Sequence, residues 1–345
     1  MTMITLLLAD PSPSLRWRTA VELAGATDED DEVKAWRTEI NHSEDVRALV
    51  ARLQAAESQP HTAGYLLCQL AYLGYRGPAL AAAVDAIFAS QQADGSWSAS
   101  PSDKGPGRDA ETASAAEHAP SDGPRFVTMH TVVPLRGIAA AGFATDPRAE
   151  RAYEWLLGTR LPDGSWPAGP KADLGTTGRP IPTEKEYRRL PRALGCRSAT
   201  TGAVASLAMH PQRRRSEAAR IGVDHLLARE TRDASTLGWE ISRLVGLERA
   251  MGQVTFYAAF DLAFLLDLAS RCGVSPQDRR VHDLVAYLET LRGPYGLWQH
   301  PNHPQLSGWF SCDLQRSLHR LTNGDWIGNE EPVSLTPYRH GPRRY

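Results

Sequence analysis

One turn occurs twice in this chain, and it limits the available folds more than any other feature. Residues 90–97 read Ser-Gln-Gln-Ala-Asp-Gly-Ser-Trp and residues 159–166 read Thr-Arg-Leu-Pro-Asp-Gly-Ser-Trp, so the same four-residue string returns 69 positions later. Looser copies follow at Leu237-Gly238-Trp239 and at Pro294-Tyr295-Gly296-Leu297-Trp298. Self-similarity of this kind marks a repeat architecture, in which each unit buries its apolar face against its neighbours. Tryptophans 97, 166, 239 and 298 recur every 59–73 residues, enough for two helices and their loops. Such an array accommodates 345 residues without a second domain.

Each clear copy follows a one-sided helix. Ala79–Ala89 places Val84, Ile87 and Phe88 on one face, and Ala149–Leu157 does the same with Ala152, Tyr153, Leu156 and Leu157. Asp-Gly then stops the helix, because glycine tolerates a positive φ, and the tryptophan plugs the end of the pair. After the turns come segments that are apolar nearly all round: 65–73, 132–141, 201–208, 256–269 and 309–321. A helix with no polar face is a buried one, so the pattern predicts an outer ring of helices around an inner ring. Period-two runs of Val, Ile and Thr, the mark of strands, are nearly absent.

The Gln-x-x-Asp-Gly-Ser-Trp string ending at Trp97 resembles the QW-type repeat of squalene and hopene cyclases. The same helix pairing builds the β subunits of protein prenyltransferases. Residues 149–157 followed by Asp163–Trp166 look like a full repeat of that superfamily, as do residues 256–266 followed by 291–298. The resemblance runs from about Leu15 to Leu321. It implies an all-α chain folded as an α/α toroid over residues 1–322, with long insertions at 98–125 and 167–195 and a tail at 323–345. Squalene cyclases carry two such domains; this chain has room for one. The resemblance also implies an enzyme that cyclises or isomerises an isoprenoid or other apolar polyene in a central cavity. The alternative is a scaffold that binds a hydrophobic ligand or a protein without catalysis.

In a toroid the inner-helix N-termini gather at one mouth, where their dipoles favour anions. The residues that would meet a substrate there are His61, Phe126, Met129, Arg197, Tyr257, Phe260 and Trp309, with His130 and Asp261 as the acid and base. Class II cyclases protonate an alkene with Asp-x-Asp-Asp. Asp28-Glu29-Asp30-Asp31 matches those letters, and it reads either as an acid or metal cluster or as the ordinary acidic start of the helix behind it. The segment that lines up with the cyclase motif is 127–131, where the aspartates are missing and His130 stands instead, as acid, base or cavity wall. The prenyltransferase zinc set of Asp, Cys and His has loose counterparts in Asp261, Cys196 and His130, which read equally as a helix cap, a buried thiol and a wall residue. Neither Asp-Asp-x-x-Asp nor a glycine-rich phosphate loop is present, so no metal or cofactor is expected. A prenyl diphosphate would meet Lys185, Arg188, Arg189, Arg192 and Arg197, a basic run that reads equally as a solvated loop. Phe126, Tyr257, Phe260, Phe264, Trp309 and Phe310 would either face a carbocation or fill a core.

Formal net charge is −2, so no nucleic-acid partner is expected. The expected partner is an apolar small molecule; peripheral membrane contact and oligomeric state stay open. Cys68, Cys196, Cys272 and Cys312 lie far apart, which points to a reducing, cytoplasmic setting. No basic region precedes the apolar stretch at residues 4–9, so no secretory leader is expected.

Overall fold

The computed structural model describes residues 2–56, 58–98, 128–167, 195–228, 236–247, 260–293 and 295–323. The described residues are helical and contain no β-strand. The α-helices, in chain order, are α1 (Met3–Leu8), α2 (Pro13–Glu22), α3 (Asp31–His42), α4 (Glu44–Ala55), α5 (Pro60–Tyr72), α6 (Ala79–Ala89) and α7 (Thr128–Ile138). They continue with α8 (Pro147–Gly158), α9 (Arg197–Met209), α10 (Glu217–Leu227), α11 (Trp239–Leu244), α12 (Leu262–Arg271), α13 (Arg279–Glu289) and α14 (Ser307–Asn323). None is long and apolar enough to cross a membrane.

Burial divides these helices into two kinds. Ten of the eleven residues of α9 between Ala199 and Met209 are buried, as is α7 from Thr131 to Ile138. In α8 only Ala149, Ala152, Tyr153 and Leu156 are buried, and in α13 only Arg280, Val281, Leu284 and Leu288. The buried helices touch in succession: α5 packs on α7, α7 on α9, α9 on α12, α12 on α14, and α14 on α2. The half-buried helices back them, α6 on α5, α8 on α7, α10 on α9 and α13 on α12. The closest approach is between α5 and α7. A Cβ on Gly64 would stand 2.7 Å from Pro134 Cα, and one on Gly137 would stand 2.2 Å from the Gly64 carbonyl oxygen, so only glycine permits this backbone contact.

The tryptophan turns are built to one pattern. The indole N–H of Trp97 donates to Ile87 O (2.9 Å), that of Trp166 to Leu156 O (2.8 Å) and that of Trp298 to Leu288 O (2.8 Å), each ten residues back in the half-buried helix before it. The backbone N–H of each then donates to a hydroxyl on the buried helix that follows: Thr131 (3.2 Å), Thr200 (3.0 Å) and Ser311 (2.8 Å). Asp94 and Asp163 each accept from the backbone N–H and hydroxyl of the serine two residues on, and Gly95 and Gly164 take φ of 92° and 85°. All three indoles are fully buried.

Leu237-Gly238-Trp239 is placed differently from the three turns above. Position 229, ten residues before Trp239, lies outside the described residues. Trp239 is half-buried and opens α11. The N-terminal helices α1 to α4 also lie outside the repeat pattern. The insertions and the tail fall almost wholly outside the described residues.

Candidate functional site

The buried helices present a small set of residues at their starts. Pro60 occupies the first turn of α5, where its missing N–H costs nothing, and places His61 in the next position. At the start of α7 the Thr128 hydroxyl donates to Pro167 O (2.7 Å), while the Thr131 hydroxyl receives the Trp97 N–H. His130 is held between these two ties. Pro134 has no N–H to give the His130 carbonyl, so that helical bond is missing in this turn.

His61 and His130 meet edge to face, with ring centroids 4.7 Å apart. Beside them Phe260 forms a small apolar cluster with Met129 and Trp239, separate from the main core. The Arg197 guanidinium lies over the Phe260 ring at 4.6 Å and donates to Leu226 O (3.2 Å). Five of the expected residues (His61, Met129, His130, Arg197 and Phe260) therefore sit at neighbouring helix starts. Phe126 and Tyr257 lie outside the described residues, as do Lys185, Arg188, Arg189 and Arg192.

Asp261 is close by but differently engaged. Its carboxylate accepts backbone N–H groups from Gly238 (3.0 Å), Glu240 (2.8 Å), Ala263 (3.0 Å) and Phe264 (3.4 Å). It thus caps α12 and clamps α11 to it. Burial nevertheless outweighs these donors and pushes its pKa up to about 6. Trp309 stacks on Tyr72 at 5.4 Å. Tyr72 ends the helix that His61 begins, about 16 Å along its axis, so Trp309 does not join the histidines. Phe264 and Phe310 are buried core residues.

Among the described residues, no group of three or more His, Cys, Asp or Glu side chains is placed to share a metal ion. The string at 28–31 acts as a helix start: Asp28 pairs with Arg37 (2.7 Å), Glu29 with Lys34 (3.1 Å), and Asp30 precedes α3 while accepting the Thr27 N–H (2.8 Å).

Sequence reasoning missed the charged centre of the molecule. Glu240 bridges two guanidiniums, with Oε1 at 2.7 Å from Arg136 and Oε2 at 2.6 Å from Arg243, and all three side chains are buried. Burial alone would raise the Glu240 pKa; the two arginines overcome it and hold the carboxyl below its usual range. The Tyr65 hydroxyl and the Gln69 amide both donate to the Arg243 carbonyl, at 2.7 and 2.9 Å. Burial pushes the Tyr65 phenol up to about 12 and raises the Cys68 thiol. The legible signal was Arg136 itself, a charge set in the otherwise apolar run 132–138.

Helix α11 carries this centre and touches several walls at once. It meets α5 through Tyr65 and Gln69, α7 through Arg136, and the start of α12 through Asp261. His300 ties down the start of α11. Its Nδ1 accepts the Asn302 and His303 N–H groups, so Nε2 carries the proton and donates to Gly238 O at 2.9 Å.

No protein-family model matches the chain, and no curated protein matches it.

Proposed function

We propose that the chain is an α/α toroid of the terpene-cyclase type, and that the mouth formed by its inner-helix starts converts an apolar, unsaturated small molecule by proton transfer. Ring closure is supported by the unbroken succession of buried helices from α5 through α7, α9, α12 and α14. Tyr72 brings the two ends together, stacking on Trp309 and donating to Asp313 (2.9 Å) on α14. The observation that carries the reaction is the His61–His130 contact beside the Phe260, Met129 and Trp239 cluster. Two imidazoles in contact, one of them protonated, can give a proton at one carbon and take one from another. Imidazolium is too weak an acid for an isolated alkene but suits a double bond conjugated to a carbonyl. The reading is therefore isomerisation or cyclisation of an activated isoprenoid or related natural-product intermediate, with the Phe260 and Trp239 ring faces toward developing positive charge. Asp261, engaged by four backbone donors, holds α11 in place in this scheme and leaves the proton transfers to the histidines.

A second reading, a ligand- or protein-binding scaffold, is favoured by one observation: α11 is buried from Glu240 to Leu244 and tied to α5, α7 and the start of α12. The experiment that separates the two is native mass spectrometry of the full chain from its own host, followed by turnover of any extracted ligand, and of a panel of conjugated polyenes, in deuterated water. A deuterium-labelled product that disappears in His130→Gln, with ligand retention unchanged, supports the enzyme. A retained ligand that the wild-type protein never alters supports the scaffold.

A further inference from the structure

A second short string recurs in the chain, this one without a tryptophan: His210-Pro211-Gln212-Arg213 and His300-Pro301-Asn302-His303. In both, the imidazole Nδ1 accepts the backbone N–H groups two and three residues on. The distances are 3.1 Å from each of Gln212 and Arg213, and 3.3 and 3.0 Å from Asn302 and His303. Both rings are buried, at 1% and 3% exposure. With Nδ1 occupied as an acceptor, Nε2 carries the proton, and there the two turns part. His210 gives that proton to the Glu150 carboxylate on α8 (2.8 Å). His300 gives it to the Gly238 carbonyl (2.9 Å), with the Ser242 hydroxyl beside it at 3.0 Å. Gly238 caps the start of α11, and a Cβ on it would stand 2.5 Å from His300 Nε2. We propose that His300 is an acid-sensitive latch on α11: the neutral ring holds the helix in the array, and a second proton on the ring releases it.

The closed ring has no place for that proton. At Nδ1 it would displace two accepted hydrogen bonds and point at two N–H groups, in a buried site where such a loss is costly. The ring must then turn, or residues 300–303 must open, and either movement frees the Gly238 carbonyl. On its own turn His300 faces His303, with ring centroids 5.3 Å apart, and a charge there opposes one on His300 still further. From α14 it meets Ser307 and Phe310, which carry no charge. Beyond Gly238 stand two acids. Against burial, Arg136 and Arg243 hold Glu240 below its usual range, so it stays charged at mild acidity. Asp261 accepts the Gly238 N–H, and burial raises its pKa from 3.8 to about 6. Its contribution grows as pH falls through 6, the opposite sign to a latch that acid opens. Trp239, the first residue of α11, packs on Phe260 with Met129, so releasing α11 unpacks the cluster beside His61 and His130. The latch stands on these contacts whether or not the mouth performs a reaction.

Hydrogen–deuterium exchange of the full chain tests it, followed at residues 236–247 and corrected for the intrinsic rate at each pH. A released ring titrates near the ordinary histidine value of about 6.5. Opening of α11 should therefore rise by about tenfold between about pH 7.5 and 5.5, while α9 stays protected. His300→Gln keeps an N–H for the Gly238 carbonyl and cannot titrate, so in that variant the rise should vanish. Equal exchange of α11 across the range would overturn the proposal, as would a rise that His300→Gln retains. Should that variant not fold, nitrogen NMR of histidine-labelled wild-type protein decides the matter. A His300 ring still neutral in mild acid while α11 is protected upholds the latch, and one that charges with α11 closed removes it.

Discussion

The two ends of α5 differ in kind. At its start, His61 meets His130 near a patch of aromatic and thioether side chains, with Arg197 the cation in contact with it. At its finish, Tyr72 enters a lattice of ions. Arg18 bridges Glu22 (2.9 Å) and Asp313 (2.6 Å), Arg316 pairs with Glu22 (2.6 Å), and Asp267 holds Arg271 and Arg320. Burial opposes the charge on Glu22, yet Arg18 and Arg316 bring its pKa down to about 2. Burial, helped by the neighbouring Arg271 and Arg316, brings Arg320 down to about 9. One end of α5 is joined by interlocking charges, and at the other two imidazoles meet beside an apolar cluster. The ion pairs thus gather at the end of α5 that is remote from the proposed chemistry.

The sharpest way to break this contrast is Asp267→Ala. It leaves Arg271 and Arg320 without their shared carboxylate and should cost about 3–5 kcal/mol, read from chemical denaturation, with no change in ligand retention at the mouth. Trp166→Ala should cost a similar amount, about 3–5 kcal/mol, and because the same plug recurs, Trp97→Ala should match it. Acid titration should come next. Glu22 has a folded pKa near 2 against an ordinary 4.5, so its contribution is present above pH 4.5 and fades as pH falls toward 2. Asp261 runs the other way: its folded pKa of about 6 lies above the ordinary 3.8, so its contribution is full below pH 3.8 and is lost as pH rises through 6. Replacing Glu22 with Gln should flatten the acid limb of the stability curve, and an unchanged limb would mean the carboxylate is not engaged in solution. Smallest of all, Asp28→Asn should change stability by less than about 0.5 kcal/mol and leave turnover intact; a large loss of turnover would revive the acid-cluster reading of residues 28–31.

Much of the scaffold could be read from the chain because its signals are local. Asp-Gly-Ser-Trp fixes a turn, and the apolar spacing before and after it fixes which helix is half-buried and which is enclosed. Trp239 carries the letters of the turn yet opens α11, so letters alone do not say which side of a helix an indole stands on. The histidine contact was half legible: His61 and His130 were marked by position at helix starts, while their meeting depended on the close Gly64–Gly137 approach, which no local pattern announces. The Arg136–Glu240–Arg243 centre was hidden for a deeper reason. Its members are 104 and 3 positions apart, and only burial together makes them a unit.

The tryptophan plugs have one more consequence. The backbone tie from Trp to hydroxyl spans 34 residues of chain at Trp97 and Trp166 but 13 at Trp298, with the same contact in each case. The plug therefore isolates the scaffold from the length of whatever chain lies between its two ends. A proteolytic nick between residues 99 and 127 would cut the polypeptide yet leave that repeat stapled shut, and the two fragments should migrate together on a native gel.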